Sequence, residues 1–260
     1  IFAAEGTAAH ALAEYKLKKY LGIKIKKPKS EFDEKELEYY TDIYFYTDIY
    51  FDYACELIAE AKVRSKDPII LVEQKLDFSN CVPKGFGTGD LVIIADGILD
   101  IVDLKYGKGV EVSAAHNPQM MLYAIGALNL FDSLYDIEKV RMTICQPRLD
   151  NISTFEITVD DLIKWAEDVV KPKADLAIKG EGEFCAGEHC RFCRAKFNCR
   201  ARADENMKMA QYDFRKGPLL NDDEITEILS GIDELQKWAN DIQAYALDKA
   251  VNENKKWDGF

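Results

Sequence analysis

The sequence predicts an α/β protein in which a mixed β-sheet is flanked by helices. One observation is the order of the segments: two helical stretches precede three short segments rich in β-formers, and helix, strand, strand and helix follow. The other is the Asp96-Gly97 dipeptide between two short apolar runs. It is typical of a β-hairpin, because both turn positions require positive φ.

The N-terminal third is predicted to be helical. Residues 3–21 form an amphipathic pattern, with apolar side chains at Ala8, Leu12, Tyr15 and Leu21. Residues 33–64 form a second, longer helix that ends near Pro68, because a proline disfavours helical backbone in the residue before it. The hexapeptide YTDIYF occurs twice inside it, at residues 40–45 and 46–51, and we interpret this as a local duplication.

The remaining elements follow from apolar runs and from helical spacing. Strands are predicted at residues 69–78, 91–95, 98–104, 140–146 and 153–159. Helices are predicted at residues 118–131, 160–178 and 222–251.

Composition indicates a globular protein with no membrane partner. The chain has 260 residues, of which 48% are hydrophobic and 31% charged. No apolar run approaches the roughly 18 residues that a membrane span needs. The N-terminus lacks a secretory signal, so we expect a cytoplasmic protein. The chain begins with an isoleucine rather than Met, so we expect a segment before it.

The charge pattern permits DNA binding without showing it. The net charge of −12 opposes contact with phosphates. Seven lysines and no acid lie between Lys16 and Lys29, however. A second basic cluster consists of Arg191, Arg194, Lys196, Arg200 and Arg202. Such clusters are more often solvated faces than binding sites.

Two carboxylates and a lysine lie near the predicted hairpin. Asp90 opens one strand, Asp103 lies near the end of the next, and Lys105 projects from the same face as Asp103. Burying these charges is costly unless a divalent cation neutralises them. Mg²⁺ or Mn²⁺ would bind the carboxylates and activate a water that attacks phosphorus, assisted by the lysine. The alternative is an ordinary cross-strand ion pair, because D-x-K alone is a weak motif.

The order of four motifs resembles the RecB-like branch of the PD-(D/E)XK nucleases. These motifs are G-x-x-x-H (Gly6, His10), G-x-x-D (Gly87, Asp90), D-x-K (Asp103, Lys105) and Q-x-x-x-Y (Gln119, Tyr123). The resemblance implies that His10, Asp90, Asp103 and the backbone carbonyl of Leu104 bind Mg²⁺ or Mn²⁺, and that Lys105 is catalytic. It implies that Gln119 and Tyr123 contact DNA or brace the site. Glu73 is expected to be a peripheral or surface acid.

Four cysteines within fifteen residues predict a second metal site. Cys190, Cys193 and Cys199 form C-x2-C-x5-C, and Cys185 lies five residues upstream. Thiolates at this density bind Zn²⁺ or an iron–sulfur cluster, and the spacing does not choose between them. Several RecB-like nucleases carry a four-cysteine iron–sulfur centre, so the resemblance favours the cluster. Its fourth ligand is either Cys185 or a cysteine that precedes this sequence.

The resemblance covers about residues 3–205 and implies a division of the chain. Residues 1–180 would form a nuclease core with the restriction-endonuclease-like PD-(D/E)XK fold. Residues 181–205 would form a cysteine-rich metal-binding element packed on that core, and residues 206–260 a C-terminal helical extension.

The implied activity is Mg²⁺- or Mn²⁺-dependent hydrolysis of DNA, most readily by an exonuclease. Such enzymes work in recombination and DNA repair or are encoded by phages, with partner proteins from those processes. Two alternatives remain open. One is a non-catalytic DNA-binding or assembly subunit that keeps the fold. The other is a zinc-ribbon interaction module in which the D-x-K motif is accidental.

Overall fold

A computed structural model describes residues 2–28, 37–131, 134–210 and 222–259. The chain divides into two compact units, Ile1–Glu181 and Gly182–Phe260. The sequence predicts one boundary near residue 180 and another near residue 205. The second of these falls inside the second unit.

The first unit is built on a five-stranded mixed sheet. Its strands are β1 (Ile69–Asp77), β2 (Phe86–Ala95), β3 (Ile98–Leu104), β4 (Lys139–Gln146) and β5 (Asn151–Thr158), in the spatial order β1-β2-β3-β4-β5. Neighbouring strands are antiparallel except β3 and β4, which are parallel. The predicted mixed sheet flanked by helices is therefore confirmed.

The β2–β3 hairpin turns at the predicted dipeptide. Asp96 has φ 52° and Gly97 has φ 73°, the positive values that such a tight turn requires. Strand β2 begins five residues earlier than predicted, at Phe86, which pairs with Asp77 of β1. The glycine-rich stretch before Asp90 has little strand propensity of its own, so pairing with β1 supplies its extended conformation.

Helices cover both faces of the sheet. Helices α1 (Phe2–Tyr20) and α2 (Leu37–Arg64) pack on one face, where Leu17, Tyr50 and Ile58 join Leu91 and Ile93 in a buried core. Residues 33–36 of the predicted second helix lie outside the described residues.

Helix α3 (Pro118–Phe131) connects β3 to β4 and packs on the other face. Met120, Met121 and Ala124 of this helix are fully or almost fully buried against strand residues such as Leu76 and Ile101. Each buried large side chain contributes about 1.5–3 kcal/mol. This helix therefore fixes the positions of Gln119 and Tyr123 over the sheet.

A helical run with one wide turn closes the first unit. Helix α4 (Val159–Trp165) is followed by a π-helical turn (Ala166–Val170) and by α5 (Lys171–Lys179). The wide turn contains Asp168, four residues before Pro172, and in a regular helix the proline ring would clash with the carbonyl at that position. The run continues past this proline, in agreement with the predicted helix at residues 160–178, and ends at Gly180 with φ 69°.

A buried ion-pair cluster ties α2 to the sheet. Asp100 of β3 is only 1% exposed. Its carboxylate accepts hydrogen bonds from Arg141 and, at 3.0 Å, from Nη2 of Arg64. Arg141 also reaches Glu60 at 3.5 Å. The buried carboxylate is thus paired on both oxygens, as burial of a charge requires.

The second unit contains a 3₁₀ turn (Glu188–Phe192), α6 (Arg200–Ala210) and α7 (Asp222–Glu253). Arg202 is buried and donates hydrogen bonds of 2.7 Å to Glu234 and to Asp241 of α7. Phe197 stacks on Tyr245 with ring centroids 5.2 Å apart. No helix in the described part of the chain is both long and apolar enough to cross a membrane.

Candidate functional site

Three neighbouring strands bring three carboxylates into one row. The β1–β2 pairing joins Val72 to Leu91 and Gln74 to Gly89, which places Glu73 opposite Asp90. The β2–β3 pairing joins Leu91 to Val102, and one further step places Asp90 opposite Asp103. Glu73, Asp90 and Asp103 therefore follow one another across the sheet, with Asp90 in the middle.

His10 of α1 joins this row on the Glu73 side. Its Nδ1 lies 3.2 Å from Oδ1 of Asp90. The ligand atoms of His10, Glu73 and Asp90 all lie within 4.8 Å of one another. The other carboxylate oxygen of Asp90 accepts a 2.6 Å hydrogen bond from the backbone N–H of Leu104, which lies between Asp103 and Lys105.

Lys105 and α3 hold Asp103 on the other side of the row. Lys105 Nζ lies 2.8 Å from Oδ2 of Asp103 and donates a 2.9 Å hydrogen bond to Oε1 of Gln119. The amide nitrogen of Gln119 donates to Oδ1 of Asp103 at 3.3 Å and to the hydroxyl of Tyr123 at 3.0 Å. The structure thus brings the predicted side chains of the four motifs, those of His10, Asp90, Asp103, Lys105, Gln119 and Tyr123, into one network that is connected through the backbone N–H of Leu104.

Gly87 explains how the second and fourth motifs fit together. A Cβ at this position would lie 2.3 Å from Cε1 of Tyr123. Only glycine lets the tyrosine ring pack this closely on β2. In contrast, a Cβ at Gly6, in the first motif, would meet no atom of the described residues within 4 Å, apart from its own helix backbone and chain neighbours.

Burial and the charge of Asp90 raise the pKa of the two outer carboxylates of the row, Glu73 and Asp103. Burial, together with the charge of Asp90, raises the pKa of Asp103 to about 6, although Lys105 opposes the rise. Burial and the same charge raise the pKa of Glu73 to about 7. Burial lowers the pKa of His10, but its hydrogen bond to Asp90 and the surrounding negative charges outweigh this effect, so its pKa is raised.

The donor set fits a hard divalent cation. Carboxylate oxygens and an imidazole nitrogen are ligands that Mn²⁺ accepts, and carboxylates also suit Mg²⁺. A cation would offset the burial and the charge of Asp90 that raise the pKa of Glu73 and Asp103. In addition, Tyr50 is completely buried, and its hydroxyl has no hydrogen-bond partner among the residues that the structure describes. Burial first, and then the charges of Asp90, Asp103 and Glu73, raise its pKa well above the usual value. The negative charges of the carboxylate row therefore act on this hydroxyl.

A shallow cavity of about 270 Å³ opens at the site. Its lining includes His10, Lys105 and the glycines Gly107 and Gly109 of the segment after β3. Gln146 lines it too, accepting from the backbone N–H of Val112 at 2.6 Å and so fixing that segment.

A larger cavity of about 320 Å³ lies elsewhere, lined by residues such as Asn80, Asn129 and Glu167. Its lining includes no residue of the carboxylate row. We therefore take the smaller cavity as the approach to the site, because it contains the reactive groups.

The four predicted cysteine ligands all lie in the second unit. Cys190 is buried, Cys199 is half-buried, and Cys185 and Cys193 are exposed. The backbone carbonyl of Cys185 contacts Nε2 of His189 at 2.9 Å. Among the residues that the structure describes, His10, Glu73 and Asp90 form the only group of three or more possible ligands within 4.8 Å of one another. The cysteine sulfurs are not gathered in this way.

Several side chains of the two basic clusters form ion pairs with acids of the same chain. Lys16 pairs with Asp48, and Lys18 pairs with Glu14 at 2.5 Å. In the second cluster Arg202 is buried in its acidic pairs. These side chains hold the fold together, so they do not add to a phosphate-binding surface.

Sequence reasoning missed two residues of the site. Glu73 was expected at the periphery, but the structure places it among the ligand atoms of the row. Its φ of 56° is left-handed, which costs a non-glycine residue about 1–2 kcal/mol. Tyr50 lies in the second copy of the hexapeptide, where its burial has no local signal. Neither residue belongs to any of the four motifs.

Comparison with known proteins assigns the family of this chain. One solved structure, described as "Crystal structure of SSO0001", shares 16% sequence identity with it and has a TM-score of 0.27. The similarity covers 75% of this chain and 84% of that one, and at this TM-score it carries no argument about function. The family model described as "Protein of unknown function (DUF2800)" matches residues 1–260. Because the match spans the whole sequence, the chain belongs to the DUF2800 family.

Proposed function

We propose that this chain is a metal-dependent DNA nuclease of the PD-(D/E)XK type, most readily an exonuclease. The observation that supports this proposal is one network of contacts. It joins the His10–Asp90 pair, through the backbone N–H of Leu104, to the group formed by Asp103, Lys105 and Gln119. A purely structural role explains this concentration of charge poorly, because burying the carboxylates of Asp90 and Asp103 beside a single lysine destabilises the fold.

His10, Asp90, Asp103 and the backbone carbonyl of Leu104 would hold Mg²⁺ or Mn²⁺. When bound, the cation supplies a water of lowered pKa and neutralises charge on the phosphate. The role of the strands is to fix the carboxylates in register, so that the donor set exists before a cation arrives.

Lys105 would stabilise the phosphate during hydrolysis. Its ammonium is held between Asp103 and Gln119, which limits its movement. From this position it can donate a hydrogen bond to a phosphate oxygen or to the attacking water. Gln119 and Tyr123 support it from α3, because the glutamine amide bonds to both the tyrosine hydroxyl and Asp103.

The test is degradation of end-labelled linear DNA and closed-circular DNA in Mg²⁺ or Mn²⁺. The variants are Asp103→Asn and Lys105→Met. Their matched controls are Asp67→Asn and Lys139→Met, which change exposed residues outside the network. We expect cation-dependent loss of linear DNA with the wild-type chain and both controls, and a loss of cleavage of at least about 100-fold in both site variants.

The results separate the proposed function from its alternatives. Preserved cleavage by either site variant would refute the assigned roles. DNA binding without cleavage by the wild-type chain would favour a non-catalytic DNA-binding subunit. One zinc per chain with neither DNA binding nor cleavage would favour an interaction module. Which end label is released first gives the polarity of an exonuclease.

We also propose that the cysteines of the second unit hold an iron–sulfur cluster, with Zn²⁺ as the alternative. Four thiols within fifteen residues suit either. Cys190, Cys193 and Cys199 would be ligands, and Cys185 would complete the set. A cluster here would have a structural role.

Metal content after anaerobic purification tests this second assignment. Iron and acid-labile sulfide, with brown colour, are expected for the wild-type chain and for the control Cys55→Ser. Cys193→Ser should lose them. Zinc alone in a colourless protein would identify the alternative, and the absence of both metals would refute both assignments.

We propose that this nuclease acts on DNA inside the cell, together with recombination or phage proteins.

A further inference from the structure

One arginine outside the carboxylate row contacts three parts of the first unit. Arg148 lies in a 3₁₀ turn (Pro147–Leu149) between β4 and β5. Its Nη1 donates a 2.8 Å hydrogen bond to Oε2 of Glu5 on α1. Its guanidinium also lies over the rings of Tyr106 and of Tyr46 on α2, with the central carbon 4.8 Å and 5.8 Å from the ring centroids. Arg148 therefore joins α1, α2 and the segment that follows β3.

The predicted metal ligand His10 and the predicted catalytic residue Lys105 both lie outside the strands. Register between β2 and β3 fixes Asp90 and Asp103, but His10 belongs to a helix. Lys105 follows the last residue of β3, and its backbone N–H donates to the carbonyl of Cys145 on β4 at 2.8 Å. Contacts between distant parts of the chain therefore set the positions of both residues.

The arginine cluster supplies a contact next to each of these two residues. Glu5 precedes His10 by about one and a half turns of α1. Tyr106 directly follows Lys105 in the chain and is itself buried. His10, Lys105 and Tyr106 line the same cavity of about 270 Å³. A displacement of the Arg148 side chain would therefore be passed on to both sides of this cavity.

Stability alone explains the buried ion pair poorly. The side chains of Arg148 and Glu5 are only 8% and 4% exposed. The Nε of Arg148 has no hydrogen-bond partner among the residues that the structure describes. A buried pair of this kind is often no more stable than apolar side chains of similar volume. Its advantage is geometric, because a planar guanidinium that stacks on a ring and bonds to a carboxylate admits few arrangements.

We propose that Arg148 is a positioning residue for the cleavage reaction. Through Glu5 it fixes α1, and with it His10, beside Asp90. Through Tyr106 it fixes the backbone that carries Lys105. This inference rests on the proposed function. Arg148 itself acts through these neighbours and not on DNA.

The main test variant replaces both members of the pair, as Glu5→Leu together with Arg148→Met. This double variant removes the hydrogen bond and the stacking without leaving a buried charge unpaired. It should therefore unfold at about the same urea concentration as the wild type. The matched control is Arg141→Met, which breaks another buried ion pair, with Asp100 of β3 and Glu60 of α2. The control should unfold at a lower urea concentration.

Steady-state cleavage of linear DNA in Mn²⁺ gives the first readout. We expect the double variant to lose about 10- to 100-fold in kcat, because a small displacement of reacting groups is costly. Its KM should change little, since no group that contacts DNA is removed. Arg141→Met, measured at a temperature where circular dichroism shows it folded, should keep the wild-type kcat.

Nuclear magnetic resonance of ¹⁵N-labelled histidine gives a second readout that needs no cleavage. Of the three histidines, His10 lies 3.2 Å from Asp90, His116 packs on Phe155, and His189 lies in the second unit. In the metal-free protein at pH 8, the double variant should shift the ring signals of His10, because they depend on its contact with Asp90. The signals of His116 and His189 should stay unchanged. Arg141→Met should leave all three unchanged.

Several results would overturn the inference. A wild-type kcat or unchanged His10 signals in the double variant would do so. The same losses in Arg141→Met would also do so, because destabilisation alone would then disturb the site. If the double variant fails to fold, Glu5→Gln, which keeps the shape of the side chain and removes its charge, is measured against the same expectations. If the wild type does not cleave DNA, the proposed function is refuted, and the His10 signals still decide whether Arg148 positions α1.

Discussion

Replacing Glu73 by glutamine should stabilise the metal-free protein at neutral pH. The carboxyl lies beside Asp90, and burial together with that charge raises its pKa from 4.5 to about 7. At about 1.4 kcal/mol for each pKa unit, ionising this group costs the folded protein about 3 kcal/mol. Because the side chain is only half-buried and solvent screens its charge, we expect about half of this, ~1.5 kcal/mol. Glutamine keeps the shape and removes the charge.

The gain should depend on pH in a defined direction. A raised pKa means that the folded protein binds the proton more tightly than the unfolded chain, so the wild type loses stability as the pH rises from 4.5 to about 7. The advantage of Glu73→Gln should therefore be small at pH 5 and complete at pH 8. Urea denaturation with a chelator present, followed by far-ultraviolet circular dichroism at both pH values, measures it.

Two results would refute this reasoning. An equal gain at pH 5 and pH 8 would mean that glutamine simply packs better. No gain at pH 8 would mean that Glu73 carries no electrostatic penalty. The control is Glu14→Gln, which should change stability little at either pH. Glu14 lies one turn after His10 on α1, and its carboxylate accepts a hydrogen bond from Lys18.

Three further substitutions test the geometry. Tyr50→Phe should raise the free energy of unfolding of the metal-free protein by about 1 kcal/mol in urea denaturation, because it removes a buried hydroxyl that has no partner in the described part of the chain. Gly87→Ala should lower that free energy by about 1–3 kcal/mol and reduce DNA cleavage, because the new methyl group displaces the ring of Tyr123. Asp100→Ala should lower it by about 3 kcal/mol in the same assay, since it leaves two partly buried arginines without their acid.

Each of these has a matched control. Tyr53→Phe changes a half-buried tyrosine on the same helix and should have little effect. Gly6→Ala meets no neighbouring atom within 4 Å and should stabilise α1 by about 0.5–1 kcal/mol. Asp96→Ala should cost less than Asp100→Ala, because Asp96 is exposed in the hairpin turn. If Gly6→Ala and Gly87→Ala have the same effect, the steric explanation for Gly87 is wrong.

Local patterns in the sequence determined most of the secondary structure. The β3 strand and the α3 helix begin and end at the predicted residues, because apolar periodicity and turn residues act within a few positions. The Asp96-Gly97 turn also needs no distant contact. The start of β2 could not be predicted in this way, since residues 86–90 become a strand through pairing with β1.

The residues of the candidate site also divide into those that local sequence patterns predict and those that depend on tertiary contacts. Motif order and spacing identified His10, Asp90, Asp103 and Lys105, because these lie in short patterns that a single sequence displays. The tertiary structure alone decided that Glu73 lies opposite Asp90, that Tyr50 is buried in the core that also contains Leu91 and Leu104, and that Gly87 makes room for the Tyr123 ring. These contacts depend on strand register and on helix packing. The groups involved lie far apart in the chain, so no local pattern specifies them.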